Sequence, residues 1–324
     1  MAIQLPTVAV VTPVYNGAKF LREAMLSVQA QTYPNLVHFV LDNASTDATP
    51  DIIKEFDGGR VPVVTARNEA LLPIAQNWNR CVELGSQGND YFRVLCTDES
   101  LQPTCIEKMV ALAETDPLLS VVGCNHSTTF GLEDLHWDRT RAIFSGSEAA
   151  RSCLVGECGL ATSHLLYRTS VLSLRRKFFE EDASFNFHFD TEAAFFVLTR
   201  ENARFGYVHE PLGFSHRHAA SVTSTVATVL QTDFLTWYTV MDRYAASVLS
   251  PAELPKYKLS YKRHYFGRML AWKYLRGNSK AFDWHIKALA SIGAAPSLWA
   301  YADAIADYGL RKMRLRRGWN QYPY

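Results

Sequence analysis

The stretch TVAVVTPVYNGAKFLREAMLSVQAQTYPNLVHFVLDNASTD, residues 7–47, decides how the rest of the chain is read. It holds two apolar, β-branched runs, TVAVVT (7–12) and LVHFVL (36–41). Between them, over residues 18–30, Phe20, Leu21, Ala24, Met25 and Val28 fall on one helical face. Near-continuous apolar strands joined by an amphipathic helix are what a parallel βαβ unit requires, because both faces of such a strand are covered. The pattern repeats in VPVVT (61–65), YFRVLC (91–96) and LSVVGC (119–124). An α/β fold is expected: a doubly wound, mostly parallel sheet flanked by helices.

In such a sheet ligands bind beyond the carboxyl ends of the strands. That directs attention to Pro13–Gly17, Asp42–Asp47 and Thr97–Glu99. Ser45 or Asp47 suits a helix N-cap and Asn43 a turn. Asp42 ends the strand itself, where a carboxylate can accept hydrogen bonds from a base or ribose. In YFRVLCTDESLQP (91–103) the apolar run stops at Asp98-Glu99, which fits either a solvated loop or a cation site. No GxGxxG follows the first strand and no GxxxxGK[ST] occurs, so the usual dinucleotide and P-loop devices are excluded.

With 324 residues, 48% hydrophobic and 20% charged, the chain reads as soluble and globular, one large domain or two smaller ones. No apolar run is long enough to span a bilayer and no signal peptide opens the chain, so a cytoplasmic protein is expected. Six cysteines without a CxxC pair suit reduced thiols rather than disulfides or zinc. Charge is uneven: residues 256–324 hold 14 Lys/Arg against 3 Asp/Glu, the remainder 19 against 29, so +11 faces −10. A basic tail suits an anionic partner or attraction to the acidic body. Its Tyr257, Tyr261, Tyr265, Trp272 and Tyr274 interleave with Lys256, Lys258, Lys262, Arg263, Arg268 and Lys273. That composition fits either an anionic membrane surface or aromatics packed in a helical core. Between 130 and 222 the pattern loosens, with a strand at ATSHLLY, a loop at FFEEDASFNF and a helix near Asp190; beyond 224 it is helical throughout.

Residues 7–47, followed by NWNRCVELGSQGNDYFRVLCTDESLQP (77–103), resemble family 2 glycosyltransferases of the GT-A fold. That family's first strand ends in a T/S-P-x-Y/F-N turn, its second in D-x-x-S-x-D, and its DxD region follows an N-x-N helix. The resemblance covers roughly residues 7–222. It implies a GT-A domain over 1–222, with a nucleotide-binding half (1–125) and an acceptor half (126–222), and a helical extension over 223–324. It further implies an inverting, metal-assisted transfer of sugar from a nucleotide diphosphate (UDP-, GDP- or dTDP-linked) to a hydroxyl of a glycan or lipid-linked glycan. Pro13, Val14, Tyr15, Asn16, Asp42, Asn43, Asn77, Thr97 and Asp98 would hold the donor. Asp98, Glu99 and His218 would hold Mn²⁺ or Mg²⁺, with Glu99 bound to it directly. Asp190 in FHFDTEAAFFVLTR would be the general base and Glu192 its fallback, while Arg168 would face the acceptor or a phosphate. Peripheral contact with the inner face of a membrane through 256–324 is also expected, and no nucleic acid.

The departures from the family pattern are specific. Cys96 stands where the first DxD aspartate is expected and Glu99 replaces the last; Phe189 precedes Asp190 where a glutamate is usual; His216 takes an arginine's place in FSHRHAAS. Two alternatives share the architecture: a sugar-1-phosphate nucleotidyltransferase, whose GxGxR loop TPVYNG lacks, and a non-catalytic nucleotide-sugar or glycan-binding module.

Overall fold

The opening apolar run forms β1 (Val8–Val14), buried over its whole length. It is followed by α1 (Leu21–Gln29), β2 (Leu36–Asp42), α2 (Thr49–Lys54), β3 (Val63–Arg67), α3 (Ile74–Gly85) and β4 (Tyr91–Val94). The computed structural model describes residues 5–181, 188–219, 221 and 223–313. Strands β3, β2, β1 and β4 lie side by side and parallel. Alternation along β1 sorts its side chains onto two faces. Val8 and Val10 pack with Ala24 and Val28, and Val14 with Met25, Ile52 and Ile53, beneath α1 and α2. Val11 points to α3. There Gly85 lets helix and sheet close up, since a Cβ would come within 2.6 Å of Val11 Cγ1 and 2.9 Å of Phe39.

The chain continues through β5 (Glu99–Leu101), α4 (Cys105–Ala113), β6 (Leu119–Thr128), β7 (Gly131–Glu133), β8 (Ile143–Ser145), α5 (Gly146–Leu154), β9 (Leu166–Arg168), α6 (Phe189–Leu198) and β10 (Arg204–Ser215). The sheet order is β3-β2-β1-β4-β9-β6-β10-β5, with β7 paired to β6 and β8 to β10. The longest ladder of this half, β6 with β10, is parallel; β9 and β5 run antiparallel to their neighbours. The strand expected at ATSHLLY is confined to β9, because a 3₁₀ turn, Thr162–His164, takes the first part of it.

The chain divides into two compact units. One comprises Met1–Ala149, Cys158–Glu181 and Phe196–Arg217; the other Ala150–Glu157, Asp182–Phe195 and His218–Tyr324. The second contains α7 (Thr228–Leu230), α8 (Asp233–Val248), α9 (Leu254–Tyr274), α10 (Ser279–Ser291) and α11 (Leu298–Lys312). Tyr261, Tyr265 and Trp272, considered above for a membrane surface, are buried in its core with Phe234, Phe266 and Met269. The two tyrosine hydroxyls are satisfied inside: Tyr261 donates to Phe234 O at 2.7 Å, and the Tyr265 hydroxyl meets His285 Nδ1. No helix among the described residues is long and apolar enough to cross a membrane.

Each unit buries a neutral histidine. His38 on β2 meets the Thr12 hydroxyl through Nε2 at 2.9 Å, and burial pushes it down to about 3. His285, held by Leu230 O at 2.8 Å, is pushed down to about 4, again by burial. An unfolded histidine takes up its proton near 6.5. Below that pH the unfolded chain binds more protons than the folded one, so stability falls on acidification until the folded values are reached. Each histidine is expected to remove about 2 kcal/mol between pH 6.5 and 5. Urea midpoints at pH 7, 6 and 5 read the slope, and His38→Gln is expected to make it shallower.

Candidate active site

Three loops leave the carboxyl ends of β1, β2 and β4, and the first two are laced together. Asn16, in the left-handed region at φ 49°, donates its N–H to Ser45 Oγ at 2.9 Å and accepts the Thr46 N–H on Oδ1 at 2.8 Å. The Gly17 N–H bonds Thr49 Oγ1 at 2.9 Å and the Ala18 N–H bonds Asp47 Oδ2 at 3.1 Å. The polar residues of DNASTD therefore hold the neighbouring loop; Ala48 is the residue at the N-cap of α2, and Asp47 Oδ1 also accepts the N–H of its first residue, Thr49, at 3.0 Å. Gly17 has no room for a Cβ, which would come within 2.6 Å of Val14 Cγ2 and 3.0 Å of Thr97 Cγ2, so the third loop packs against the first. Of the residues expected here, Pro13 and Val14 are buried in the β1–β2 ladder; Tyr15 and Asn16 are exposed.

Asp42 is buried at the end of β2. Its Oδ1 accepts the Ser45 N–H at 2.9 Å and its Oδ2 is paired with Arg67, which also donates to Ser45 O at 2.8 Å. Asn43 and Asn77 are linked through Asn68, whose Nδ2 donates to both at 2.7 and 2.9 Å. Asn43 further grips Leu72 by its N–H and its carbonyl, each at 2.9 Å. Arg67 and Asn68, at the end of β3, were not among the residues singled out from sequence. The rule that points to strand ends applies to β3 as well, and ARN (66–68) was the available signal.

Asp98 is half-buried, and its carbonyl accepts the His216 N–H at 2.8 Å. Glu99 is different. It opens β5, pairs with Ser215 of β10, and alternation turns Glu99 and Leu101 inward. Its carboxyl accepts the Cys96 N–H at 3.2 Å and the Ser215 hydroxyl at 3.3 Å, and lies 3.7 Å from His164 Nε2. His164 Nδ1 is 3.0 Å from Nη2 of Arg93, a fully buried arginine on β4 that also donates to His164 O at 3.1 Å. Burial pushes Glu99 up to about 7, with the Asp98 charge adding to it and Arg93 opposing. Burial, then Arg93, holds His164 well below the usual imidazole range. Glu99 was expected to meet a metal directly; its carboxyl instead faces the interior chain Glu99–His164–Arg93. Among the described residues no cluster of three or more His, Cys, Asp or Glu is arranged to hold a metal. His216 stacks on Phe20 at 5.0 Å and bonds Glu23 at 2.9 Å.

Asp190 and His218 belong to the second unit. Asp190 is half-buried in the first turn of α6, its Oδ1 accepting the Thr191 N–H at 2.9 Å; Phe189, Ala193, Phe196 and Val197 are buried, but so are Glu192, Ala194, Phe195 and Leu198, so the helix is covered all round rather than on one face. Glu192 is fully buried, bonded by the Tyr244 hydroxyl with Arg243 at 3.8 Å, which removes it as a fallback base. His218 is half-buried and its carbonyl accepts the Ser221 N–H at 3.2 Å. Arg168 serves the fold: it donates to Ala113 O at 3.0 Å and Leu119 O at 3.2 Å and covers the Tyr91 ring.

The family model described as Glycosyl transferase family 2 matches residues 9–175, the region that supplies these strand-end loops. The chain belongs to glycosyl transferase family 2. Membership sets aside the nucleotidyltransferase and binding-module alternatives. This family 2 glycosyltransferase is 26% identical to an uncharacterized glycosyltransferase of Rickettsia typhi over 70% of its own length and 69% of the relative's. It is 23% identical to glycosyltransferase GlyG of Streptococcus pneumoniae over 67% and 73%. Its fold is similar to that of S. aureus TarS 1–349 in complex with UDP-GlcNAc, with TM-score 0.69 and 15% identity over 98% of this chain and 93% of that one. The mannosyltransferase PcManGT of Pyrobaculum calidifontis, solved with GDP-Man and Mn²⁺, matches with TM-score 0.54 and 17% identity over 98% and 83%.

Proposed function

We propose that this glycosyltransferase moves a sugar from a nucleotide diphosphate to a hydroxyl of a glycan or lipid-linked glycan, with inversion and with Asp190 as general base. The observation that carries the reading is the set of three packed loops at the ends of β1, β2 and β4. Asn16 is tied through Ser45 to the buried Asp42–Arg67 pair, and Thr97, next to Asp98, packs on Gly17. The UDP-GlcNAc and GDP-Man in the two similar structures support a nucleotide-sugar donor.

Tyr15 and Asn16 would cover the nucleoside, and Asp42, Asn43 and Asn77 would set the loop that recognises base and ribose. Thr97 and Asp98 would face the sugar-diphosphate. Asp98 fits a divalent cation: Mn²⁺ and Mg²⁺ at nucleotide sites take one or two carboxylates, completing their shell with phosphate oxygens and water. Such an ion, when bound, supplies charge to the departing diphosphate. Glu99 would act from behind Asp98, and His218 would be a further candidate neighbour of the diphosphate. In the transfer the acceptor oxygen bonds to the anomeric carbon, the bond to the diphosphate oxygen breaks, and the acceptor proton passes to the Asp190 carboxylate. Peripheral attachment of residues 256–324 to the inner face of a membrane belongs to the same reading, since it would bring a cytoplasmic enzyme to a lipid-linked acceptor.

The test is to titrate UDP-, GDP- and dTDP-sugars with Mn²⁺ or Mg²⁺ and follow thermal stability and nucleotide release. One donor at about 100 times its Kd is expected to stabilise the protein by about 2.7 kcal/mol. Asp98→Ala is expected to remove the part of that gain that needs the cation. Absence of binding by all three nucleotides sinks the reading.

A further inference from the structure

Helix α11 is built the wrong way round for a helix whose outer side meets only water. Its acids face inward: Asp303 takes Arg263 of α9 in a bidentate pair at 2.7 and 2.8 Å, and Asp307, itself buried, bonds Arg311 at 2.6 Å. The outer face carries Leu298, Trp299, Ala302, Ile305, Ala306 and Tyr308, following one another at helical spacing, and all six are exposed. Leu298 and Trp299 are 87% and 85% exposed, Ile305 60% and Tyr308 65%, whereas a surface helix ordinarily shows water the opposite face. Arg263 meets Asp303 and Phe266 meets Tyr301, so α9 and α11 run antiparallel; Tyr274 at the end of α9 and Leu275 after it are themselves 70% and 82% exposed.

We propose that this face is the seat of the protein on an anionic lipid surface. The proposal rests on the peripheral-attachment part of the reading above and narrows it from residues 256–324 to one helix face. Charge complementarity selects the occupant. Arg311 is held by Asp307, but Lys312 ends the helix, the sequence continues Met313-Arg-Leu-Arg-Arg, and residues 308–324 contain no acid. Apolar side chains that include a tryptophan, followed in sequence by clustered cations, are what an interfacial segment offers to acyl chains and anionic headgroups. A two-fold pairing with a second copy would bring no carboxylate on this face to those cations. At 15 residues the helix is about 22 Å long, enough to lie in the interface plane.

The experiment is flotation of the full chain with vesicles of equal parts phosphatidylglycerol and phosphatidylcholine, against phosphatidylcholine alone, with no donor present. The protein is expected to float with the anionic vesicles, to be released by 0.5 M salt added as a test of the charge contribution, and not to float with neutral ones. The double variant Trp299→Glu, Ile305→Glu replaces exposed residues, so its melting temperature should match the wild type while its partitioning drops at least about tenfold. The proposal is overturned if the wild type stays down with anionic vesicles, or if the variant floats equally. It is also overturned if light scattering finds a lipid-free dimer that the variant dissolves, which would give the face to a second copy. Nucleotide binding is read separately, so failure of the donor assay leaves this result standing and the reverse also holds.

Discussion

Asp190→Asn is expected to lower the rate of sugar transfer by about 10²- to 10⁴-fold while leaving donor affinity within about twofold. The substitution isolates proton transfer from structure. Asp190 lies in the first turn of α6 and accepts the Thr191 N–H through Oδ1, a bond that the amide oxygen of asparagine can keep. Asparagine fills the same space with no group able to take a proton. Single-turnover transfer and nucleotide titration together read the two quantities. Undiminished transfer would move the general base elsewhere, and Glu192 is excluded as the replacement by its burial against Tyr244.

The second large effect is structural. Arg93→Met is expected to cost about 3–5 kcal/mol of folding stability, because it leaves a buried carboxyl facing an unbalanced interior. Arg93 is fully buried on β4 and reaches Glu99 through His164, with separations of 3.0 Å at one end and 3.7 Å at the other. Methionine fits much of the same volume, so the loss reports charge and hydrogen bonds rather than a cavity. Adding Glu99→Gln to Arg93→Met is expected to recover a large part of it, since the group left without a countercharge is then neutral. Urea denaturation of the two single variants and the double variant completes the cycle. A loss below about 1 kcal/mol for Arg93→Met would show that the chain is hydrated rather than dry.

Much of the sheet was legible because its first half is made of local units. Strands at 8–14 and 36–42 and the helix face of Leu21, Ala24, Met25 and Val28 emerge from spacing within a few residues of where they lie. Glu99 was not legible in the same way. A strand of three residues has no periodicity to detect, and the partner that turns it inward, Ser215, is more than a hundred positions away. Arg93–His164, 71 positions apart, and the Asp42–Arg67 pair, 25 apart, were hidden too, since composition does not say which buried polar groups meet. The tyrosines of α9 were ambiguous for another reason. Their spacing fits a core and a membrane face equally, and only the hydroxyl partners inside the bundle decide between them.

Strand β10 enters the sheet between β6 and β5 although it is the last strand to be synthesised. Among the described residues β5 and β8 have no other strand partner, so a chain stopped at residue 175, where the family match ends, would hold β6 with an open edge and Glu99 without a strand to anchor it. Such an edge invites pairing with other chains. The expectation during translation is that the first βαβ units form early, while the loop bearing Asp98 gains its final shape only once residues near 215 have cleared the ribosome. Catalytic competence is thereby tied to completion of the sheet, and a prematurely terminated chain would be inactive and prone to aggregate rather than partly active.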